Sequence, residues 1–383
     1  MGKLNFIVLL IIGGANSRRL RFGWFNCAPV IDREELLSLF IRDLDQAEWV
    51  AVDTEADSLH AYPEKLCLIQ LSIPGDDVLI DPLARMEMGG FFSSLRAKTL
   101  IMHGADYDVR LFKIGCGFVP KSIFDTMLAA RLLGRRQFGL SHLTKEILGV
   151  ELEKTSRKAN WAKRPLTDKM SEYALNDTRH LQPLAKALKT ELEATGRNEW
   201  HSQECDRLIR DNSNINIPDP DTVWRIKGSA RLSSQALSVL RELWLWREKE
   251  AKRRNRPPYF VLSPDIMIKI SDASAQGVDI EQWIPRRVPE HRRREIRKCI
   301  KYAISGPSEE WPAPHRSPPR KHITSLQKQR FEDLQKRRDC HADCLSIDPT
   351  IIASRATMVK LACEAEGVLN DVLPWQQELL GVG

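Results

Sequence analysis

Four short runs with strand periodicity, set among helical segments, constrain the fold of this chain more than any other feature. Glu48–Asp53 (EWVAVD) alternates apolar and polar positions with period two. Leu66–Ile73 (LCLIQLSI) is apolar on both faces and is bounded by Pro63 and Pro74-Gly75. Asp77–Asp81 is closed by Pro82, and Leu100–His103 by Gly104. Helical periodicity follows over 108–114, 123–133, 140–148 and 171–194. Three neighbouring strands, then a fourth amid helices, predict an α/β fold with a mixed sheet and helices packed on it. The longest apolar run, Phe6–Ile12, has seven residues, and a membrane-spanning helix needs about 20. An integral helical membrane protein is therefore excluded, and no membrane partner is expected.

Strand signals nearly vanish after the polar, proline-bearing stretch NSNINIPDPD at 212–221. Leu232–Arg254 reads as a helix whose buried face carries Leu237, Leu240, Trp244 and either Leu243 or Leu245; Pro257-Pro258 stops it. Ser263-Pro264-Asp265 restarts a helix. Pro289–Ala303 is a further helix, and GPSEEWPAPHRSPPR at 306–320 is a second linker. Helical pattern resumes over Ser325–Arg338 and Ile351–Glu366. The chain thus divides into a leader at 1–25, an α/β domain at 26–212, a linker at 213–225, a helical module at 226–306, a proline-rich linker at 307–320 and a second helical module at 321–383. The leader has the outline of a secretory signal, LNFIVLLII then GGANS. No small-x-small cleavage site follows, and Arg18, Arg19 and Arg21 come directly after. Its place in the mature protein is left open.

Charge is unevenly distributed. The formal net charge is +7, and residues 226–306 hold 18 Lys/Arg against 9 Asp/Glu. One segment thus carries the whole positive excess, which points to a polyanionic partner. The 8 cysteines are scattered without a disulfide framework, so a reducing compartment and a cytoplasmic location are expected. Cys340 and Cys344 form a lone CxxxC with no second ligand pair at zinc spacing, and read as helix-face residues.

Chemistry is concentrated in a few acids. Asp53 and Glu55 stand two apart on a strand, so their side chains share a face. Tyr173 and Asp177 stand four apart on a helix and share a face as well. Asp108 follows the fourth strand in the turn HGADYD. Gathered carboxylates cannot all stay ionised unless a cation balances them, and oxygen-only ligands favour Mg²⁺ or Mn²⁺. Two such ions about 3.5–4 Å apart form the clamp used for in-line phosphoryl displacement, one helping to generate the nucleophile and the other stabilising the leaving oxygen. A tyrosine with an ordinary pKa near 10 is a weak base, so Tyr173 is expected to position water. His103 is expected to hydrogen-bond beneath the site. Trp161 is open between a buried anchor and a stacking platform.

In order and spacing, VAVDTEAD with LCLIQLS and LIDPL, then MHGADYDVRLF and FDTMLAARLLG, then NWAKRPL and MSEYALNDTRHL resemble the three motifs of the DEDD 3′–5′ exonucleases, and most closely the ribonuclease D family. The resemblance covers about 45–189. It implies a ribonuclease H-like exonuclease domain and two divalent ions held by Asp53, Glu55, Asp108 and Asp177. Tyr173 marks the tyrosine subclass, since Glu172 rather than histidine stands five before Asp177. Family spacing from His103 selects Asp108 over Asp106. LRELWLWREKEAKRRNRPPYFVLSPDIMIKIS resembles an HRDC module, and 321–383 a second, degenerate one in which Trp375 is read as a core residue. Two basic clusters, Lys252, Arg253, Arg254 and Arg256, then Arg292, Arg293, Arg294, Arg297 and Lys298, are the expected phosphate contacts. The activity implied is release of 5′-mononucleotides from RNA 3′ ends, with tRNA precursors as substrate and a monomeric enzyme. A DNA-directed exonuclease, or a non-catalytic nucleic-acid-binding protein on the same fold, are the alternatives.

Overall fold

The computed structural model describes residues 30–153, 156–214, 218–314, 324–364 and 367–382; the leader lies outside them. Six strands, β1 (Val30–Ile31), β2 (Val50–Ala56), β3 (Leu66–Ile73), β4 (Asp76–Ile80), β5 (Thr99–Met102) and β6 (Ser122–Asp125), form one sheet in the order β1-β4-β3-β2-β5-β6. The β2–β3 and β3–β4 pairs are antiparallel, and β1–β4, β2–β5 and β5–β6 are parallel. The mixed sheet is therefore the one the periodicity calls for.

The order of strands follows from the connections. β2, β3 and β4 are joined by short links and pair as a meander. β5 and β6 return beside β2 after the helices α2 (Gly89–Arg96) and α3 (Asp106–Cys116), with α1 (Glu34–Gln46) preceding β2. Asp125 ends β6 and starts α4 (Thr126–Leu132), its carboxylate accepting from Met127 N and Leu128 N. The short helix α5 (Leu140–Leu143) follows. The stretch 171–194 is two helices, α6 (Asp168–Arg179) and α7 (Leu181–Ala194). Pro183 explains the break, because its ring would meet the carbonyl of Arg179 in a continuous helix but sits harmlessly in the first turn of a new one. α8 (Asn198–Ser213) completes this part of the chain.

The two faces of the sheet bury different helices. Val50, Val52, Ile69 and Leu71 pack with Val109, Leu111 and Phe112 of α3. On the other face Ala51 packs with Leu181 and Ala185 of α7, and Cys67, Leu68 and Leu79 with Ala174 and Leu175 of α6. This alternation puts Asp53 and Glu55 on the face covered by α6 and α7, and Thr54 on the face covered by α3.

Next in chain order come α9 (Ser234–Arg254), α10 (Pro258–Val261), α11 (Pro264–Ala275), α12 (Glu290–Ser305), α13 (Ser325–Leu345), α14 (Pro349–Ile352), α15 (Arg355–Ala362) and α16 (Pro374–Leu380). The chain resolves into two compact units. One contains the sheet and α1–α8 together with α13–α16. The last segment is helical as expected, yet its core is shared with the sheet domain: Leu334, Ile352, Met358 and Leu380 cluster with Leu132, Leu184, Leu188 and Leu192. Trp375 is buried and stacks on Trp200 at 4.7 Å. Arg197 ties the same region together, donating to Leu132 O at 2.6 Å and Leu345 O at 2.9 Å.

The other unit is built on α9, whose Leu237, Leu240 and Leu243 face Met267, Ile268 and Ile270 of α11 and Ile296 and Ile300 of α12. Ser233 caps α9 by accepting from Ala236 N, and Asn255 closes it at φ 47°. Leu245 lies exposed, so Leu243 is the residue on the buried face. The Asp57–Lys65 segment, which joins β2 to β3, belongs to this unit. Tyr62 donates its hydroxyl to Glu248, and its backbone N–H donates to Asn255 Oδ1 at 3.1 Å. Among the described residues no helix is long and apolar enough to cross a membrane.

The shared core has a measurable consequence. Trp375→Ala should cost about 3–5 kcal/mol in the unfolding of the sheet-bearing unit. Denaturant unfolding followed by hydrogen exchange on β2 and β3 would show it. A loss confined to α13–α16, with the sheet unchanged, would contradict the shared core.

Candidate active site

The acids read from the sequence converge. Oxygens of Asp53 and Glu55 from β2 and of Asp177 from α6 lie within 4.8 Å of one another. The strand places the first two on one face and α6 covers that face, which is why residues so distant in sequence meet. Asp108 stands beside this trio. It comes from the first turn of α3, on the other face of the sheet, and Thr54 Oγ1 donates to its Oδ1. Asp108 is buried while Asp106 in the same turn is exposed, so the structure separates the two acids as family spacing does.

The electrostatics of the four acids follows from how close they are. Burial first, then the charges of Asp108, Asp177 and Glu55, hold the Asp53 carboxyl well above the ordinary carboxylate range. Burial, then Asp177 and Asp108, push Glu55 up to about 9. Asp177 is pushed up to about 7 by burial and Asp108, against a hydrogen bond from Tyr173 that acts the other way. Asp108 rises to about 6 through burial, although the Thr54 hydroxyl stabilises its charge. Four carboxyls thus resist ionisation together. A hard divalent cation is the group that would relieve them, and an oxygen-only donor set of this spacing fits one.

Tyr173 donates to Asp177 on the next turn of α6. Its phenol is raised above its ordinary value by burial, then by Asp177, Glu55 and Asp53. Trp161 is buried and lies 6.1 Å from the Tyr173 ring, so it is an anchor under the tyrosine and has no face free for a base. Arg164 fixes that anchor. Its guanidinium donates to both oxygens of Asp81 at 2.5 and 2.7 Å, to Cys67 O at 2.7 Å and to Trp161 O at 2.7 Å. His103 Nδ1 lies 2.9 Å from Thr126 Oγ1, and burial lowers the pKa of the ring. It is a hydrogen-bonding residue, as expected.

Three neighbours have no signature in the sequence. Thr54 reaches Asp108 only because β2 and α3 pack together. Gln70 lies directly opposite Asp53 on β3, fully buried, with neither amide atom hydrogen-bonded. Arg157 is exposed, and its charge favours ionised Glu55 and Asp177.

The basic clusters fare unevenly. Glu250 accepts two bonds from Arg253, at 2.8 and 2.9 Å, and one from Arg292 at 2.9 Å. Arg254 stands 4.0 Å from the same carboxylate. Arg293 is bound to Glu281 at 2.9 Å and to the carbonyls of Val288, Ile284 and Pro285. Arg297 bridges Glu281 and Glu290, and Lys298 lies 3.4 Å from Glu295. Arg292 and Arg293 are thus mostly covered and serve the module's own structure, so they are poor phosphate contacts. Lys252, Arg256 and Arg294 are exposed.

Comparison with known proteins places this geometry. A 3′–5′ exonuclease family model matches residues 29–193, and an HRDC domain model matches 236–276. The chain is 32% identical to a ribonuclease D of Jannaschia sp. over 238 residues, 60% of this chain and 61% of that protein. It is 28% identical to a ribonuclease D of Desulfotalea psychrophila over 87% of this chain and 90% of that one. Among solved structures, a Bifidobacterium adolescentis protein has a TM-score of 0.78 at 23% identity, covering 92% of this chain and 94% of that one. Escherichia coli RNase D has a TM-score of 0.71 at 22% identity, covering 92% and 96%. At such identity these two structures show the fold. The family-model matches define a 3′–5′ exonuclease domain over 29–193 followed by an HRDC domain over 236–276. In sequence the chain is similar to ribonuclease D proteins, and it spans about three fifths of the length of the Jannaschia relative.

The raised carboxyls make stability depend on pH in a definite direction. A carboxyl whose pKa is higher folded than unfolded binds protons more tightly in the native state. Its contribution is therefore lost as pH climbs from about 4 through the folded value. In chelator, the unfolding midpoint should fall between about pH 5 and about pH 9. Mg²⁺ or Mn²⁺ should raise it more at about pH 8 than at about pH 6, because metal competes with protons for the same oxygens. Thermal melts across that range check this. An equal metal effect at both pH values would contradict it.

Proposed function

We propose that this chain is a divalent-metal-dependent 3′–5′ exoribonuclease that releases 5′-mononucleotides from RNA 3′ ends, with the maturation of tRNA 3′ ends as its task. The observation that carries the reading is the meeting of Asp53, Glu55 and Asp177, with Asp108 beside them and Tyr173 bonded to Asp177. The ribonuclease D relatives supply the RNA part of the reading.

In this proposal Asp53, Glu55, Asp108 and Asp177 hold two Mg²⁺ or Mn²⁺ ions. Bound there, such ions neutralise charge on the reacting phosphodiester and on the oxygens that attack and leave. The remaining chemistry belongs to the chain. Tyr173 keeps its proton at neutral pH, since burial and three carboxylates oppose its ionisation. It therefore orients the attacking water by hydrogen bonding instead of abstracting a proton. Trp161, held by Arg164, fixes the ring from below. Thr54 steadies Asp108. Arg157 offsets part of the acidic field where a polyanionic substrate must approach.

Asp53→Asn and Asp177→Asn should each lower turnover of a 3′-extended tRNA by at least about 10³-fold, with RNA affinity little changed. Tyr173→Phe should lose about 10²-fold and keep measurable activity. Single-turnover assays with and without chelator separate these effects. Wild-type rates in Tyr173→Phe would remove its role in positioning water. Absence of mononucleotide release from any RNA in the presence of metal would overturn the enzyme reading.

A further inference from the structure

Gln70 is the one side chain among the described residues that is buried with both a donor and an acceptor unpaired. It lies in β3 between Ile69 and Leu71, and all eight residues of that strand are buried. Its own exposure is 0%, and neither Nε2 nor Oε1 has a hydrogen-bond partner. A buried amide in that condition gives up its hydration for nothing, so an apolar side chain of the same size would suit the strand better. The strand does not by itself prevent a polar group from being satisfied. Ser72 is two residues on and shares the face, and its hydroxyl lies 2.6 Å from Asp77 Oδ1 and 2.9 Å from Thr178 Oγ1.

The register of the sheet says what Gln70 faces. It is paired with Asp53 across the antiparallel β2–β3 ladder. Residues directly opposite project from the same face, with Cβ atoms about 4.5–5.5 Å apart. A glutamine at that position is long enough to reach a carboxylate on its partner. The face is the one covered by α6: Leu68, two residues before Gln70, packs with Ala174 and Leu175 of that helix, which also carries Asp177. The amide is therefore beside the acidic cluster, on its sheet side. Two of the other acids have a hydroxyl holding them, since Thr54 donates to Asp108 and Tyr173 to Asp177. Asp53 accepts from the Thr54 backbone N–H.

A carboxylate that ligates a cation through one oxygen keeps lone pairs on the other, and a donor to that second oxygen fixes how the group is turned. We propose that Gln70 is a positioning residue for Asp53: its Nε2 amide donates across the β2–β3 pair to the Asp53 oxygen that faces away from a bound divalent cation, and so keeps the other oxygen turned towards the ion. The inference rests on the metal reading above and deepens it, by adding to the four acids a residue of β3 that carries no charge. On this account the amide costs stability while no cation is bound and is satisfied when one is. That separates it from a glutamine that serves the core alone, whose loss would weaken the fold with or without metal.

Two equilibrium measurements on the full chain test this without any turnover: Mn²⁺ affinity by titration calorimetry, and the thermal unfolding midpoint in excess chelator. Gln70→Met keeps the length of the side chain and removes both polar ends. It should bind Mn²⁺ about tenfold more weakly than wild type, while its midpoint in chelator equals or exceeds that of wild type. Gln70→Leu, a second apolar replacement of similar size, should give the same pair of results. Wild-type Mn²⁺ affinity in Gln70→Met overturns the proposal. So does a midpoint in chelator well below wild type in both variants, or failure of both to fold, because either result makes the amide a structural group of the sheet. Asp53→Ala is measured alongside. If it binds Mn²⁺ as wild type does, the metal reading falls and this inference with it; if it binds more weakly while Gln70→Met does not, the role of Gln70 falls alone.

Discussion

Repulsion among crowded, half-buried carboxylates is the constraint on which this structure turns. Asp53, Glu55 and Asp177 place oxygens within 4.8 Å of one another, and burial raises every one of their pKa values before charge is counted. Left to itself such a group destabilises the fold around it. The sheet and α6 hold it together by apolar packing elsewhere: Cys67, Leu68, Ala174 and Leu175 form the seam that brings strand and helix into contact. The stability of that seam is what makes an unfavourable cluster available for metal chemistry.

The two faces of β2 divide the labour. Odd positions point at α6 and α7 and carry the acids, while even positions point at α3 and bury Val50 and Val52. Thr54 falls on the even side and reaches Asp108, so the fourth acid is delivered from the opposite face by one hydroxyl. The arrangement explains why Asp108 lies beside the trio. It also explains why α3 and α6, which do not share a face of the sheet, both belong to the site.

Much of this was legible in the sequence. Period-two alternation located β2, short apolar runs with proline and glycine stops located β3 to β5, and i,i+2 and i,i+4 spacing located the acids and Tyr173. β6 was not legible, because the four residues of Ser122–Asp125 run straight into α4 and share its apolar spacing. The break at His180 was hidden for a similar reason: the apolar pattern continues across it and only Pro183 marks it. Gln70, Thr54 and Arg157 act through tertiary neighbours, which spacing does not report. The arginine clusters show the same limit from the other side. A run such as Arg292–Arg294 reads as a positive patch until Glu250 and Glu281 arrive from other elements to bind two of its members. Conversely, PPYFVL reads as a helix stop, and the structure adds that its Tyr259 and Phe260 are exposed.

The most direct test of the central claim is to locate a cation among these acids. Crystals of the full chain grown with Mn²⁺ would give an anomalous difference map in which manganese identifies itself. The account requires a peak in coordinating contact with oxygens of Asp53, Glu55 and Asp177, absent from crystals of Asp53→Ala. A well-ordered site with no peak there, or a peak that persists in the variant, would contradict it.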